Sequence, residues 1–351
     1  MFRLALAAAA VACALVAGPA GARTQDNVFS VHDLVSDTAA SASTTDSNLV
    51  NGWGLSAGPT TPWWASNNGT NTTTLYNGSG AKQALTVSVP GAPTGTVFNG
   101  NASDFVVSQN GKSGAARFLF ATEAGTILGW SPTVNGTTAL PGVDRSGQHA
   151  IYKGLTTLND RLYATDFHNG RVDVFDASFN PVPLAGSFRD KKLPKGFAPF
   201  GIQALGANVF VTYAKQDKAK EDDVPGGGLG YVDEFTPDGA LVARVAAGGR
   251  KNAPPDAPWG LALAPSTFGG FAGDLLVGNF GDGRISAYQT RAGKWVYKGQ
   301  LRRGDGSLIT LDGLWAIAFG NGAAAGPAST LYFLAGPSGE SHGLFGSITA
   351  G

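Results

Sequence analysis

The stretch PWGLALAPSTFGGFAGDLLVGNFGDGRISAYQ, residues 258–289, contains three short β-strand patterns and one tight turn. The strand patterns are residues 259–263, 274–278 and 284–288. Residues 279–283, NFGDG, join the last two patterns, and a Gly/Asp turn of this kind closes a β-hairpin. The stretch therefore predicts a small antiparallel sheet.

Imperfect copies of this unit recur about six times along the chain at intervals of roughly 40–60 residues. Each copy has a small residue in its first strand, namely Gly54, Gly95, Gly154, Gly201, Gly260 and Ala316. Repeated four-stranded units of this length are the signature of a β-propeller. We predict an all-β fold, a propeller of six four-stranded antiparallel blades, in which the glycines allow innermost strands to approach backbone to backbone.

The sixth unit ends at Ile348 after its third strand, whereas an unassigned strand, VFSVHDLV, lies at residues 28–35. We predict that this N-terminal strand completes the last blade and closes the ring, because closure removes an exposed sheet edge. Residues 23–351 would then form a single domain. We expect that domain to be monomeric.

The first 22 residues have the pattern of a signal peptide, with Arg3, an apolar run at 4–17 and a small-residue cleavage site at 20–22. The apolar run is too short to predict a membrane span. Cys13, the single cysteine of the chain, lies in this segment. We therefore expect a secreted or periplasmic protein whose mature chain has no thiol chemistry.

The 25 basic and 25 acidic residues leave no excess of positive charge, so we expect no binding to nucleic acid.

The chain contains several long motifs, namely NLVNGWGL (48–55), LYATDFHNGRVDVFD (162–176), APFGIQ (198–203), VTYAKQD (211–217), APWGLALAP (257–265), LLVGNFGDGRISAY (275–288), DGLWAIAFGNG (312–322) and GPSGESHGLFG (336–346). Together these motifs resemble one family of secreted, mostly bacterial proteins of unassigned function that are predicted to be six-bladed propellers. More distantly, residues 166–176 are similar to NHL repeats, and the overall plan is similar to gluconolactonase, paraoxonase and strictosidine-synthase-like propellers. Those relatives include both divalent-metal-dependent hydrolases and plain binding modules, so the resemblance implies a fold without an activity.

The first functional hypothesis is a metal-dependent hydrolase. In a four-stranded blade, the start of the first strand and the turn between strands two and three lie on one face, here called the front face. Oxygen ligands from several blades could bind Ca²⁺ there, and the candidates are Asn51, Glu123, Asp166, Asn279 and Asp312. The metal would activate water for hydrolysis of an ester or lactone, with His168 or His342 as general base. The alternative is that these residues only shape their turns.

The second hypothesis is a binding module for a small polar molecule or a glycan. Aromatic residues recur near blade starts and could line a pocket, or they could pack between blades; they are Trp53, Trp259, Trp315, Phe200 and Tyr213.

The third hypothesis is a noncatalytic cell-surface interaction protein. Its support is the charged, Gly-rich segment 215–228, which predicts a mobile loop over the front face, acting as a lid or a partner contact.

Overall fold

The structure is a computed structural model that describes residues 27–39 and 41–351. The predicted signal peptide at 1–22, with Cys13, lies outside the described residues. Short 3₁₀ turns occur at Asn68–Thr70, Ser146–Gln148 and Gly269–Phe271. The strands, in chain order, are β1 (Phe29–Ser36), β2 (Thr44–Thr45), β3 (Gly52–Ser56), β4 (Trp63–Asn67), β5 (Thr72–Tyr76), β6 (Lys82–Ser88), β7 (Pro93–Phe98), β8 (Val106–Gln109), β9 (Lys112–Ala115), β10 (Phe118–Thr122), β11 (Thr126–Trp130), β12 (Leu140–Asp144), β13 (Tyr152–Leu158), β14 (Arg161–Asp166), β15 (Arg171–Phe175), β16 (Phe197–Leu205), β17 (Asn208–Lys215), β18 (Gly230–Phe235), β19 (Leu241–Ala247), β20 (Pro258–Leu263), β21 (Leu275–Asn279), β22 (Ile285–Arg291), β23 (Lys294–Gln300), β24 (Leu314–Phe319), β25 (Leu331–Ala335) and β26 (Leu344–Ala350).

Apart from the hairpin β8-β9, these strands form six mainly antiparallel sheets, numbered here as blades one to six. Blade one is β3-β4-β5-β6, blade two β7-β10-β11-β12, blade three β13-β14-β15, blade four β16-β17-β18-β19, blade five β20-β21-β22-β23, and blade six β24-β25-β26-β1 with β2 beside β1. The innermost strands contact one another in cyclic order, and β24 returns to contact β3. The predicted six-bladed β-propeller is confirmed.

Strand β1 pairs with β26 in blade six. Phe29 faces Ala350 and Val31 faces Ile348, and the register shifts by a bulge between Asp33 and Val35. The outer edge of β1 then pairs in parallel with the short strand β2. The first and last strands of the described chain thus lie side by side in one sheet.

Blade three departs from the predicted four strands because it has three. The chain after β15 makes only an isolated bridge between Phe175 and Pro181. Proline has no N–H to donate to a strand ladder, so Pro181 and Pro183 prevent a regular fourth strand here. Blade two carries an extra hairpin, β8-β9, which the repeat pattern did not predict.

The glycines of the innermost strands lie against the backbone of the next blade. A β carbon at Gly154 would be 2.8 Å from the backbone nitrogen of Ile202, and one at Gly260 would be 2.6 Å from the carbonyl oxygen of Trp315. Real β carbons essentially never approach other atoms so closely. The predicted backbone-to-backbone packing is therefore confirmed.

The innermost strands surround a central channel that contains a cavity of about 330 Å³. Aliphatic side chains from several blades line it, including Leu55, Leu155, Ile202, Leu261 and Ile317. Within residues 27–39 and 41–351, no helix reaches the length and apolarity that crossing a membrane requires.

Candidate functional site

Aromatic side chains from five blades meet at the front end of the channel and form what we call the aromatic plug. Trp53 stacks on Trp315 with ring centroids 3.5 Å apart, and Phe280 stacks on the same Trp315 at 4.0 Å. Trp259, Phe200 and Phe167 complete the plug. Its members are almost all buried, which matches the packing alternative of the sequence analysis more closely than an open aromatic pocket.

One cationic side chain lies directly on this plug. Lys153 is fully buried, and its Nζ lies 4.9 Å from the centroid of the Trp53 ring, a cation–π distance. The same Nζ is 2.5 Å from Oε1 of Glu123 and 3.3 Å from Oδ1 of Asp222. Burial lowers the pKa of Lys153, but the two carboxylates outweigh burial and hold the pKa above its ordinary value. The lysine is therefore a permanent positive charge.

Hydrogen bonds extend from Glu123 through blade one to blade six, and we call the connected residues the Lys153 network. Asn68 Nδ2 donates to Oε2 of Glu123 at 2.8 Å. Asn51 Nδ2 donates to Asn68 Oδ1 at 3.4 Å and to Oε2 of Glu340 at 2.7 Å. The network thus joins blades one, two, three and six, and with Asp222 it also includes the loop of blade four.

Asn51 connects this network to the plug beneath it. Its Oδ1 accepts a hydrogen bond from the indole Nε1 of Trp315 at 2.9 Å. In contrast, the buried Nε1 atoms of Trp53 and Trp259 have no hydrogen-bond partner among the described residues. Buried indole N–H groups usually find an acceptor, so these two are unsatisfied donors within the plug.

The loop between β17 and β18 carries two more carboxylates to the centre. Its base is held by Gln216, whose Nε2 donates to the carbonyl oxygen of Phe167 at 2.7 Å. Oδ2 of Asp223 is buried and without a hydrogen-bond partner in the described chain. Burial raises the pKa of Asp223 to about 7; Lys153 opposes this, whereas Glu340 and Asp222 add to it. The predicted position of segment 215–228 over the front face agrees with these contacts, and its mobility stays a prediction.

The five predicted metal ligands divide into two groups. Asn51 and Glu123 belong to the Lys153 network. The other three contact turns of their own blades: Asp166 accepts from Asn169 Nδ2 at 2.7 Å, Asn279 Nδ2 donates to Asp282 at 3.0 Å, and Asp312 accepts from the backbone N–H of Ser338, in the next turn of blade six, at 2.8 Å. For these three, the contacts are those of turn-shaping residues.

The predicted calcium site and its histidine general base stay predictions. Among the residues that the structure describes, no group of three or more His, Cys, Asp or Glu side chains could hold a metal ion. Glu123 already accepts from Lys153 and Asn68. His342 Nδ1 lies 2.8 Å from Oδ2 of Asp37. His168 has a buried Nδ1 without a partner and packs near His149, with ring centroids 6.3 Å apart.

Lys153 was not among the predicted site residues, although a positional signal was present. The residue before each inner-strand glycine or alanine is Trp53, Thr94, Lys153, Phe200, Trp259 or Trp315. Four of these six positions carry aromatic residues that form the plug, so the lysine occupies a place that packing would fill with another ring. Asn68 and Asp222 carried no such signal, because the turn that holds Asn68 differs in sequence from blade to blade and the loop that holds Asp222 occurs in one blade only.

Fold and site together define a six-bladed β-propeller with a charged centre above an aromatic plug. No family model matches the chain. Three uncharacterized proteins of Acanthamoeba polyphaga mimivirus are similar to it. One is 32% identical over 229 residues, 64% of this chain and 42% of its own length. The second is 29% identical over 312 residues, 86% of this chain and 76% of its own.

The third mimivirus protein is 30% identical over 344 residues, which cover 94% of this chain and 88% of that protein. The chain therefore belongs to the family of this uncharacterized mimivirus protein. It spans less than half of the length of the first relative. The expected secreted and bacterial character of the family stays a prediction.

Solved structures of low sequence identity share the propeller fold. A streptogramin B lyase superposes with a TM-score of 0.56 at 12% identity, covering 92% of this chain and 98% of its own. The soluble aldose sugar dehydrogenase of Escherichia coli superposes with a TM-score of 0.55 at 13% identity, covering 92% and 100%. At these identities the similarity concerns the fold alone.

Proposed function

We propose that this propeller binds a small polar ligand on its front face, with Lys153 as the central contact. The observation that carries the proposal is a fully buried ammonium group at a ring position where four blades place aromatic residues. Burying a charge is costly even when it is paired, and an apolar replacement of similar volume is often as stable. Stability alone therefore does not account for a lysine here, whereas ligand recognition does.

The groups around Lys153 suit a ligand with hydroxyl groups. Glu123 and Glu340 are acceptors at the centre, and the free indole N–H groups of Trp53 and Trp259 are donors. A molecule with several hydroxyls can donate to the carboxylates and accept from the lysine and the indoles. This complementarity supports a polyhydroxylated ligand such as a monosaccharide or one of its derivatives.

A thermal-shift screen tests this proposal. The protein would be melted with monosaccharides, sugar acids and small hydroxy acids, and each compound that raises the melting temperature would be repeated with Lys153→Met. The matched control is Lys112→Met, because Lys112 is an exposed lysine of β9 outside the network. We expect stabilisation of the wild type and of the control and none of Lys153→Met. Equal stabilisation of both variants would contradict the proposal.

Hydrolysis is a second candidate, and the observation that favours it is the carboxyl group of Asp223. An acid whose Oδ2 is buried, and whose pKa burial raises to about 7 beside the central cluster, is suited to general acid–base catalysis. The test is hydrolysis of a panel of esters and lactones by wild type and Asp223→Asn.

Metal-dependent hydrolysis stays a prediction. Titrations with calcium and with a chelator, each followed by thermal melting, test it. The absence of any shift would remove the metal from the proposal.

Export is the remaining part of the proposal. The signal-like pattern at 1–22 supports it, and it is tested by expressing the full chain in a Gram-negative host. We expect the protein in the periplasmic fraction with a mass that corresponds to a start at Arg23. Recovery of uncleaved protein in the cytoplasm would contradict export.

A further inference from the structure

We infer that Asp222 occupies the place of a ligand carboxylate on Lys153, so that the ligand of this site is a hydroxy acid or a sugar acid. The inference rests on the proposed function and specifies the chemistry of its ligand. It also assigns a role to the charged loop of blade four, because the loop must release Lys153 when the ligand binds.

The two carboxylate partners of Lys153 are held very differently. Glu123 lies 2.5 Å from Nζ and accepts a second hydrogen bond, from Asn68 at 2.8 Å, which fixes its position. Asp222 lies farther away, at 3.3 Å, and its side chain is 72% exposed. Because the Asp222 carboxylate is largely solvated whereas Glu123 is held by a second hydrogen bond, Asp222 is the partner that an external group can replace.

The segment that carries Asp222 is attached to the ring mainly through this one contact. Residues 217–222, here called the tip, close on themselves: the backbone N–H of Asp217 donates to the carbonyl of Asp222, and that of Glu221 donates to the Asp217 carboxylate. Within residues 27–39 and 41–351, the hydrogen bond that connects the tip to the rest of the protein is the one from Lys153 to Asp222.

The bonds that fix the loop lie outside the tip. On one side Gln216 donates to the carbonyl of Phe167 at 2.7 Å. On the other side the backbone N–H of Gly226 donates to Oδ1 of Asp256 at 2.6 Å. The tip can therefore swing away from Lys153 while both ends of the loop remain attached, as a small lid does.

Charge decides which group can take the place of Asp222. A ligand carboxylate replaces one negative oxygen by another and restores the charge-assisted hydrogen bond to the ammonium. A neutral hydroxyl would give a weaker bond and leave Lys153 with Glu123 alone. A cationic ligand would meet Lys153 itself, which already holds the cation position above Trp53. Glu340 and the free indole groups then remain for the hydroxyls of the same ligand.

Two pairs of probes isolate the carboxylate. D-glucuronate differs from D-glucose by a carboxylate in place of the terminal hydroxymethyl group, and lactate differs from propylene glycol in the same way. Binding of all four would be measured by titration calorimetry to wild type, Asp222→Asn and the control Glu221→Gln, which changes the neighbouring exposed carboxylate outside the network. We expect the acids to bind more tightly than their neutral partners, and Asp222→Asn to strengthen acid binding roughly two- to five-fold. We expect Glu221→Gln to behave as wild type.

Limited trypsin digestion gives a second readout, because Lys218 and Lys220 lie in the exposed tip. A saturating acid should accelerate cleavage at these lysines in the wild type, and Asp222→Asn should be cleaved fast with or without it. Slower cleavage with the acid, unchanged acid affinity in Asp222→Asn, or equally tight binding of the neutral partners would each overturn the inference. A neutral ligand that binds wild type but not Lys153→Met would overturn it while leaving the proposed function intact; the absence of any Lys153-dependent ligand would overturn both.

Discussion

Nζ of Lys153 lies 2.5 Å from Oε1 of Glu123, yet the two side chains are unequally exposed, at 1% and 29%. The carboxylate can regain water if its partner is removed, whereas the ammonium cannot, because it lies between the plug and the network. Removing the acid therefore leaves a buried charge, and removing the base leaves a solvated one. The pair is energetically asymmetric.

We expect Glu123→Gln to be more destabilising than Lys153→Met. Loss of one member of a buried pair typically costs about 3–5 kcal/mol, and because Asp222 remains near Lys153 we expect about 2 kcal/mol for Glu123→Gln. Methionine can keep its contact with Trp53, so Lys153→Met should cost less than about 1 kcal/mol. Urea unfolding of both variants measures the difference. A larger loss of unfolding free energy for Lys153→Met would show that the lysine itself stabilises the fold, which would account for its presence without a ligand.

The raised pKa of Asp223 predicts how the free energy of unfolding changes with pH. Burial raises its pKa in the folded protein to about 7 from an ordinary value of 3.8, so the folded state binds the proton more tightly than the unfolded state. The protonated Asp223 therefore stabilises the folded state fully below pH 3.8, and this stabilisation is lost as the pH rises through 7. Asp223→Asn is always neutral and lacks this loss.

The free energy of unfolding of Asp223→Asn should therefore increase relative to wild type between pH 5 and pH 8. The comparison must be made as a difference, because burial also raises the pKa of Asp233 to about 7 despite its ion pair with Arg244. Asp233 contributes the same slope to wild type and variant and cancels. A difference that does not change with pH would mean that Asp223 ionises normally.

Repeated features of the propeller could be predicted from the sequence, and contacts between non-repeated segments could not. Gly154 and Gly260 identify innermost strands because every blade faces the same close approach, so the same small residue recurs. The ion pair between Lys153 and Asp222 joins residues 69 positions apart through a loop that occurs in one blade only. No periodicity specifies such a pair, and whether Asp166 or Glu123 points to the centre depends on the turn of each blade.

Close packing at Gly154 predicts a large effect of a single methyl group. A β carbon there would lie 2.8 Å from the nitrogen of Ile202 and 2.9 Å from the carbonyl oxygen of Phe200, both in the neighbouring blade. Because the obstacle is backbone, Gly154→Ala should destabilise by about 1–3 kcal/mol or more. The control Gly136→Ala has no atom within 4 Å of the new methyl group and should be neutral or slightly stabilising. Equal urea midpoints for the two variants would refute the close approach.

Asn51 should contribute to stability through both its backbone conformation and its side chain, and two substitutions separate these contributions. Its φ is 49°, in the left-handed region that glycine tolerates and alanine does not. Either substitution deprives the buried indole N–H of Trp315 of its acceptor, which costs about 1–3 kcal/mol. Asn51→Ala adds the strain of the left-handed backbone, about 1–2 kcal/mol, so it should be less stable than Asn51→Gly by that amount.

The same pair of variants also tests whether the Lys153 network acts as one unit. Both lose the hydrogen bond to Glu340, so both should weaken ligand binding equally, although their unfolding free energies differ. Urea unfolding and calorimetric titration with D-glucuronate measure the two properties separately. Equal affinities of the two variants, despite unequal stabilities, would show that the Asn51 amide supports Glu340 directly. If the less stable variant also bound D-glucuronate more weakly, Asn51 would affect the site only through the stability of the fold.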